Sequence, residues 1–106
     1  MRIGFIENHK SNENGDPTGG VTVGTGFTIA WQDGPLGRGE DRKAPNGAFV
    51  EDVIDACIGR IRHYQESHFR CASNAAAIVS LTSALAALDS RTKDREARGV
   101  EGEHKE

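Results

Sequence analysis

Between residues 47 and 98 the apolar side chains recur at steps of three and four, a periodicity that over such a length only helix satisfies. Val50, Val53, Ile54, Cys57, Ile58 and Ile61 make one stripe, and Ala77, Ile78, Leu81, Leu85 and Leu88 make a second. Asn46 offers an N-cap to the first run. Glu51 and Asp52 then sit in its first turns and Arg60 and Arg62 near its far end, as the helix dipole favours. The first helix is therefore expected over about 47–67. His68 to Ala72 connects it to a second helix, capped by Ser73, that ends at Arg98 with Gly99 beyond it. Alanines at 75, 76, 77, 84, 86 and 87 raise helix propensity and permit close approach of a neighbour. Two helices of about 21 and 25 residues, each roughly 30 Å or more long, predict a long antiparallel hairpin over 47–98.

The N-terminal third carries the other period. Val21, Val23, Phe27, Ile29 and Trp31 all fall on odd positions and predict β-structure with these residues on one face. Gly24 and Gly26 interrupt that run and mark a bulge or a tight turn. Ile3 and Phe5 repeat the alternation, and the Asn-, Gly- and Asp-rich stretch 8–20 between the two runs reads as a mobile loop. Asp33-Gly34-Pro35 stops the strand, and loop chemistry runs over 33–46. The expected fold is α+β in a single domain over 1–106: a small antiparallel sheet of two or three strands within 1–32, the hairpin, and a flexible charged tail over 99–106.

A chain of 106 residues with 36% apolar content buries too little of its own surface for a deep core, so further burial in an oligomer is expected. The net charge of -3 argues against coating nucleic acid by bulk charge. No continuous apolar run of membrane-spanning length is seen, and the opening residues lack the apolar region of a signal peptide. Cys57 and Cys71 are expected as reduced thiols.

The stripe of the second helix changes character along its length. Leu81, Leu85 and Leu88 lead by steps of three and four to Arg91, Arg95 and Arg98. Arg91 and Arg98 lie roughly 10 Å apart along the axis, a span that two phosphates of one nucleotide bridge, and guanidinium groups hold phosphate oxygens bidentately. The same arginines are equally read as a solvated helix end, favoured by the dipole and paired with Asp89, Asp94 and Glu96. Tyr64 and Phe69 flank the turn, where an aromatic either stacks on a base or closes the end of the hairpin core. Asn74 either reads a base edge or caps the helix.

Other chemistries find less support. Cys57, His63, His68 and Cys71 lack the tight paired spacing of a zinc site. Gly24-Thr25-Gly26 is followed by no Gly-Lys-Ser/Thr, and no nucleophile motif is present. No metal, no cofactor and no enzymatic activity are expected.

Taken together, the runs Pro45 to Ile54, Tyr64-Gln65, Phe69-Arg70-Cys71, Asn74-Ala75, Ala77-Ile78, Arg91-Thr92 and Arg95, then Arg98 to Gly102, resemble the hairpin domain of the type-one Thoeris anti-defence family. That domain is similar to the hairpin of the type-two anti-CBASS sponges. The resemblance covers about residues 45 to 102, and the strands before Gln32 favour the Thoeris branch. It implies a phage protein in the cytoplasm of the infected bacterium that sequesters cyclic nucleotide immune signals without cleaving them. The signal implied is chiefly glycocyclic ADP-ribose made by TIR enzymes, with cyclic oligonucleotides as a second class. It further implies a homodimer or a hexamer built as a trimer of dimers. By the same resemblance Tyr64 matches the aromatic that stacks on the base, Asn74 the amide beside it, and Arg91 a phosphate-contacting arginine. Arg95 and Arg98 are the nearest candidates for a second arginine, and Phe69 and Thr92 are expected among the ligand-binding residues. A second ligand site falls loosely near Arg38, Arg42 and Ser73. The rival reading is a small nucleic-acid-binding phage regulator that uses the basic end of the second helix.

Overall fold

A computed structural model describes residues 4–34, 36–37 and 39–97. The fold is α+β, as expected: a three-stranded antiparallel sheet followed by two helices. The chain forms two compact units, one built on the strands and one spanning Val50–Ala97.

The strands are β1 (Ile6–Ser11), β2 (Pro17–Gly24) and β3 (Phe27–Asp33), in the order β1-β2-β3. The stretch 8–20, expected as a mobile loop, instead carries the end of β1 and the start of β2. His9 pairs with Gly20 and Ser11 with Pro17 across a register shift. Its polar composition encodes a tight turn. The Asn12 Oδ1 accepts from the backbone N–H groups of Asn14 (2.9 Å) and Asp16 (3.1 Å), and Asn12 N–H donates to the Asp16 carbonyl at 3.0 Å. A side-chain amide thus stands in for the turn's missing backbone partners. Gly20 sits at φ +132°, and a Cβ there would overlap the Asn8 carbonyl oxygen, so the close approach of β1 to β2 requires glycine.

The odd-numbered apolar residues do not share one face. Thr25-Gly26, with Gly26 at φ +83°, makes a two-residue turn that pairs Gly24 with Phe27, Thr22 with Ile29 and Gly20 with Trp31. Directly paired residues lie on the same face of a sheet. Phe27, Ile29 and Trp31 therefore share a face with Thr22, while Val21 and Val23 point the other way, with Ile6. The first face holds what core the sheet has. Trp31 Nε1 donates to Thr22 Oγ1 at 2.8 Å and Thr22 is 5% exposed, while Phe5 and Phe27, which meet edge-on at 6.2 Å, both remain exposed. On the opposite face Ile6, Val21 and Val23 are exposed.

Beyond Asp33 the chain passes through a short 3-10 turn (Gly39–Asp41) and returns to the sheet. Asn46, expected to cap the first helix, is committed here instead. Its Oδ1 accepts from Asp33 N–H at 2.8 Å and its Nδ2 donates to the Asp33 carbonyl at 3.2 Å. Gln32 answers through Oε1, which accepts from the N–H groups of Asn46 (2.9 Å) and Gly47 (3.2 Å). Ala48 then pairs with Trp31 in a parallel bridge, donating to Ala30 and accepting from Gln32. These bonds hold residues 46–48 extended, so the helix starts three residues later than its propensity suggests.

The helices are α1 (Val50–Gln65) and α2 (Ala72–Ala97), packed on one another across a six-residue connection. Ile58 is 2% exposed and is the buried apolar residue of the described chain. Val53, Ile54, Ile61, Ile78, Leu81, Leu85 and Leu88 are half-buried. Cys57, read as part of the stripe, is exposed, as is Cys71, and both thiols are free. Two helices alone cannot enclose a wider stripe, because each covers only one side of the other. By length and composition, Ala72–Asp94 is apolar enough to cross a membrane, and none of that segment is buried. Ser73, Asn74, Ser80, Thr82 and Ser83 interrupt its apolar run.

Candidate functional site

The connection between the helices is built by side chains that substitute for lost backbone bonds. α1 loses its regular pattern at Glu66, whose N–H is shared between the carbonyls of Arg62 and His63, both at 3.2 Å. Ser67 continues the turn. Its N–H and Oγ both donate to the Tyr64 carbonyl (3.1 and 2.6 Å), and its Oγ accepts from Phe69 N–H at 3.1 Å. Gln65 closes the loop at both ends of one residue. Its Nε2 donates to the Cys71 carbonyl at 3.1 Å and its Oε1 accepts from Cys71 N–H at 3.0 Å.

Cys71 opens α2. Its Sγ lies 3.4 Å from the Asn74 N–H and its carbonyl accepts from Ala75 N–H at 3.2 Å. The N-cap is therefore Cys71 and not Ser73, which lies exposed within the first turn. Sulfur is a weak acceptor, so composition gave little sign of this cap. Asn74 is not a cap either; its Nδ2 donates back to the Phe69 carbonyl at 3.4 Å.

This frame brings Tyr64, Phe69 and Asn74 to one end of the hairpin. Tyr64 is 39% exposed and Phe69 is 69% exposed, an unusual cost for two aromatic rings in so small a domain. Phe69 stacks obliquely on His68 at 4.2 Å between ring centroids, and His63 lies 6.4 Å from Tyr64. Arg60, one turn before Tyr64, donates from Nε to the Tyr64 hydroxyl at 3.2 Å, with its guanidinium carbon 5.0 Å from the ring centroid. In the sequence Arg60 stands only as a dipole partner, because its i, i+4 spacing to Tyr64 is shared with any charged helix face.

The arginines stand elsewhere. Arg91 lies seventeen positions beyond Asn74 on one continuous helix, about 26 Å along the axis. Arg91 is exposed, and Thr92 is half-buried with its hydroxyl donating to the Leu88 carbonyl at 3.2 Å. Arg95 lies on α2, while Arg98 falls outside the described residues. One chain therefore does not join the aromatic end of the proposed site to Arg91. For the loosely placed second site, Arg42 is exposed in the loop before α1, and Arg38 lies outside the described residues. An open depression lined by Gly4, Phe5, Ile6, Val23, Gly24 and Thr25 belongs to the sheet and includes none of these candidates. No cluster of three metal-ligating side chains occurs among the described residues.

Comparison with known proteins bears on what this hairpin is. The chain is 43% identical over 77 residues to a protein of Bacillus phage SBSphiJ7 named Thoeris anti-defense 1. The matched part of this chain belongs to the Thoeris anti-defence 1 family. The match takes in 73% of this chain and 51% of that relative, so the chain spans about half the relative's length. No family model matches the sequence.

Proposed function

We propose that the protein is a phage anti-defence sponge, acting in the cytoplasm of the infected bacterium. It binds a cyclic nucleotide immune signal, chiefly glycocyclic ADP-ribose, and withholds it from the effector without cleaving it. The observation that carries this reading is the exposed aromatic end of the hairpin, where Tyr64 and Asn74 are held on one hydrogen-bonded turn. A phenol ring open to solvent gives a base a stacking surface, and an amide beside it discriminates base edges. The name of the phage relative, Thoeris anti-defense 1, supports the anti-defence part of this reading.

Because about 26 Å of helix lies between Asn74 and Arg91, a ligand of nucleotide size meets both only where two copies of the chain combine. The site is accordingly assigned to an interface between subunits, with Tyr64 and Asn74 from one and Arg91, with Arg95 or Arg98, from the other. The half-buried stripe of α2 supports that assignment, since a helix with this much apolar surface is stabilised by a further layer.

Thermal melting with glycocyclic ADP-ribose isomers and a cyclic oligonucleotide panel tests the reading, followed by heat release and chromatography of the ligand. A ligand at about a thousandfold excess over its Kd stabilises the folded state by roughly 4 kcal/mol. A large rise in Tm with intact ligand recovered is the expected result. A converted ligand would make the protein an enzyme, and no shift with any nucleotide would remove the proposal. A melting shift with DNA or RNA that collapses with salt would favour the nucleic-acid regulator instead.

A further inference from the structure

Neither the sequence pattern nor the family resemblance points to Arg60, yet its side chain contacts the phenol of the proposed stacking residue. Its Nε–H bonds the Tyr64 hydroxyl at 3.2 Å, while its guanidinium carbon lies 5.0 Å from the ring centroid. The two contacts together fix the phenol by its edge and by one face. A tyrosine that is 39% exposed at the end of a helix would otherwise sample several rotamers, and ordering it on binding costs affinity. A guanidinium over one face also adds a cation–π attraction and leaves the opposite face for a base.

We propose that Arg60 is a positioning residue for ligand binding, holding Tyr64 so that a base stacks on one defined face of its ring. This inference rests on the nucleotide-binding reading above, and it goes further by assigning the ring's orientation to a residue outside the ligand contacts. Removing either partner of the bond to the Tyr64 hydroxyl loosens the ring, and Arg60→Gln also removes the guanidinium from its face. The ring itself is retained in Tyr64→Phe, which separates loss of positioning from loss of the stack.

The test is a double-mutant cycle read by calorimetric titration with glycocyclic ADP-ribose, using wild type, Arg60→Gln, Tyr64→Phe and the double variant. Each single variant is expected to weaken binding about two- to tenfold, the usual range for ordering one such side chain. The double variant is expected to be no weaker than the worse single one, because both remove the same bond. Tyr64 is the chain's one tyrosine, so selective ¹³C labelling gives a single set of ring signals that reports its orientation directly. Those signals should shift and broaden in unliganded Arg60→Gln, with circular dichroism confirming an intact helix.

Several results overturn the proposal. Wild-type affinity in Arg60→Gln would do so while leaving the sponge reading intact. So would additive losses in the double variant, which would place Arg60 directly on the ligand. Unchanged ring signals in Arg60→Gln would also refute it. Absence of binding by the wild-type protein would overturn both the sponge reading and this inference.

Discussion

Mixing two inactive variants should restore binding in a fixed proportion. Tyr64→Ala removes a stacking surface worth about 1–3 kcal/mol per base, and Arg91→Ala removes a charge-assisted bond worth about 1.5 kcal/mol or more. Either variant alone should therefore bind glycocyclic ADP-ribose about fivefold more weakly or worse. With about 26 Å of rigid helix between Asn74 and Arg91, the proposed interface site would draw its aromatic from one chain and its arginine from another. In a two-fold pair of one Tyr64→Ala and one Arg91→Ala subunit, one site carries both lesions and the other carries neither. Random mixing in equal amounts makes about half of all pairs mixed, with one of two sites intact, so about a quarter of the sites regain full affinity. Unfolding and refolding the variants together, then counting tight sites by calorimetric titration, measures that fraction directly. Recovery near zero would show that one chain supplies both residues, and the assignment to an interface would fall.

Other expectations concern the frame. Gln65→Ala removes both bonds to the Cys71 backbone and should destabilise the hairpin by about 1–2 kcal/mol, seen as a lower Tm by circular dichroism. Cys71→Ser replaces a weak sulfur cap with a hydroxyl and should raise stability by up to about 1 kcal/mol, read from the urea midpoint. Thr22→Val leaves Trp31 Nε1 without its acceptor and should cost about 1–3 kcal/mol, followed through the emission of the chain's one tryptophan. Gly47→Ala would drive a Cβ into the Trp31 backbone and should cost about 1–3 kcal/mol, with loss of the Ala48–Trp31 pairing in amide hydrogen exchange.

The helical half of the fold was legible because its signal is long: stripes at Val50 to Ile61 and Ala77 to Leu88 leave no competing period. What the sequence hid was short-range competition for single side chains. Asn46 has the chemistry of an N-cap, but Asp33 and Gln32 claim it first. Ser73 has the better capping chemistry, but Gln65 fixes Cys71 two residues earlier. The loop composition at 8–20 was read correctly as polar and wrongly as unpaired, because Asn12 supplies the turn from its own side chain. In the candidate site, Tyr64 and Asn74 lie at the same end of the hairpin, each tied to the connecting turn. Arg60 was missed because an i, i+4 Arg–Tyr contact carries no signature distinct from an ordinary charged helix face.

The Thr25-Gly26 turn sets a reading frame for the sheet. Adding or deleting one residue between Gly24 and Phe27 would turn β3 over relative to β2. Trp31 and Thr22, now bonded on one face, would then lie on opposite faces, and Val21 and Val23 would join the side that Phe27 and Ile29 occupy. At the other hairpin, by contrast, the register shift between His9 and Ser11 absorbs an odd residue without inverting the strand. Length variation among related chains should accordingly gather near residues 10–16 and be absent at 25–26.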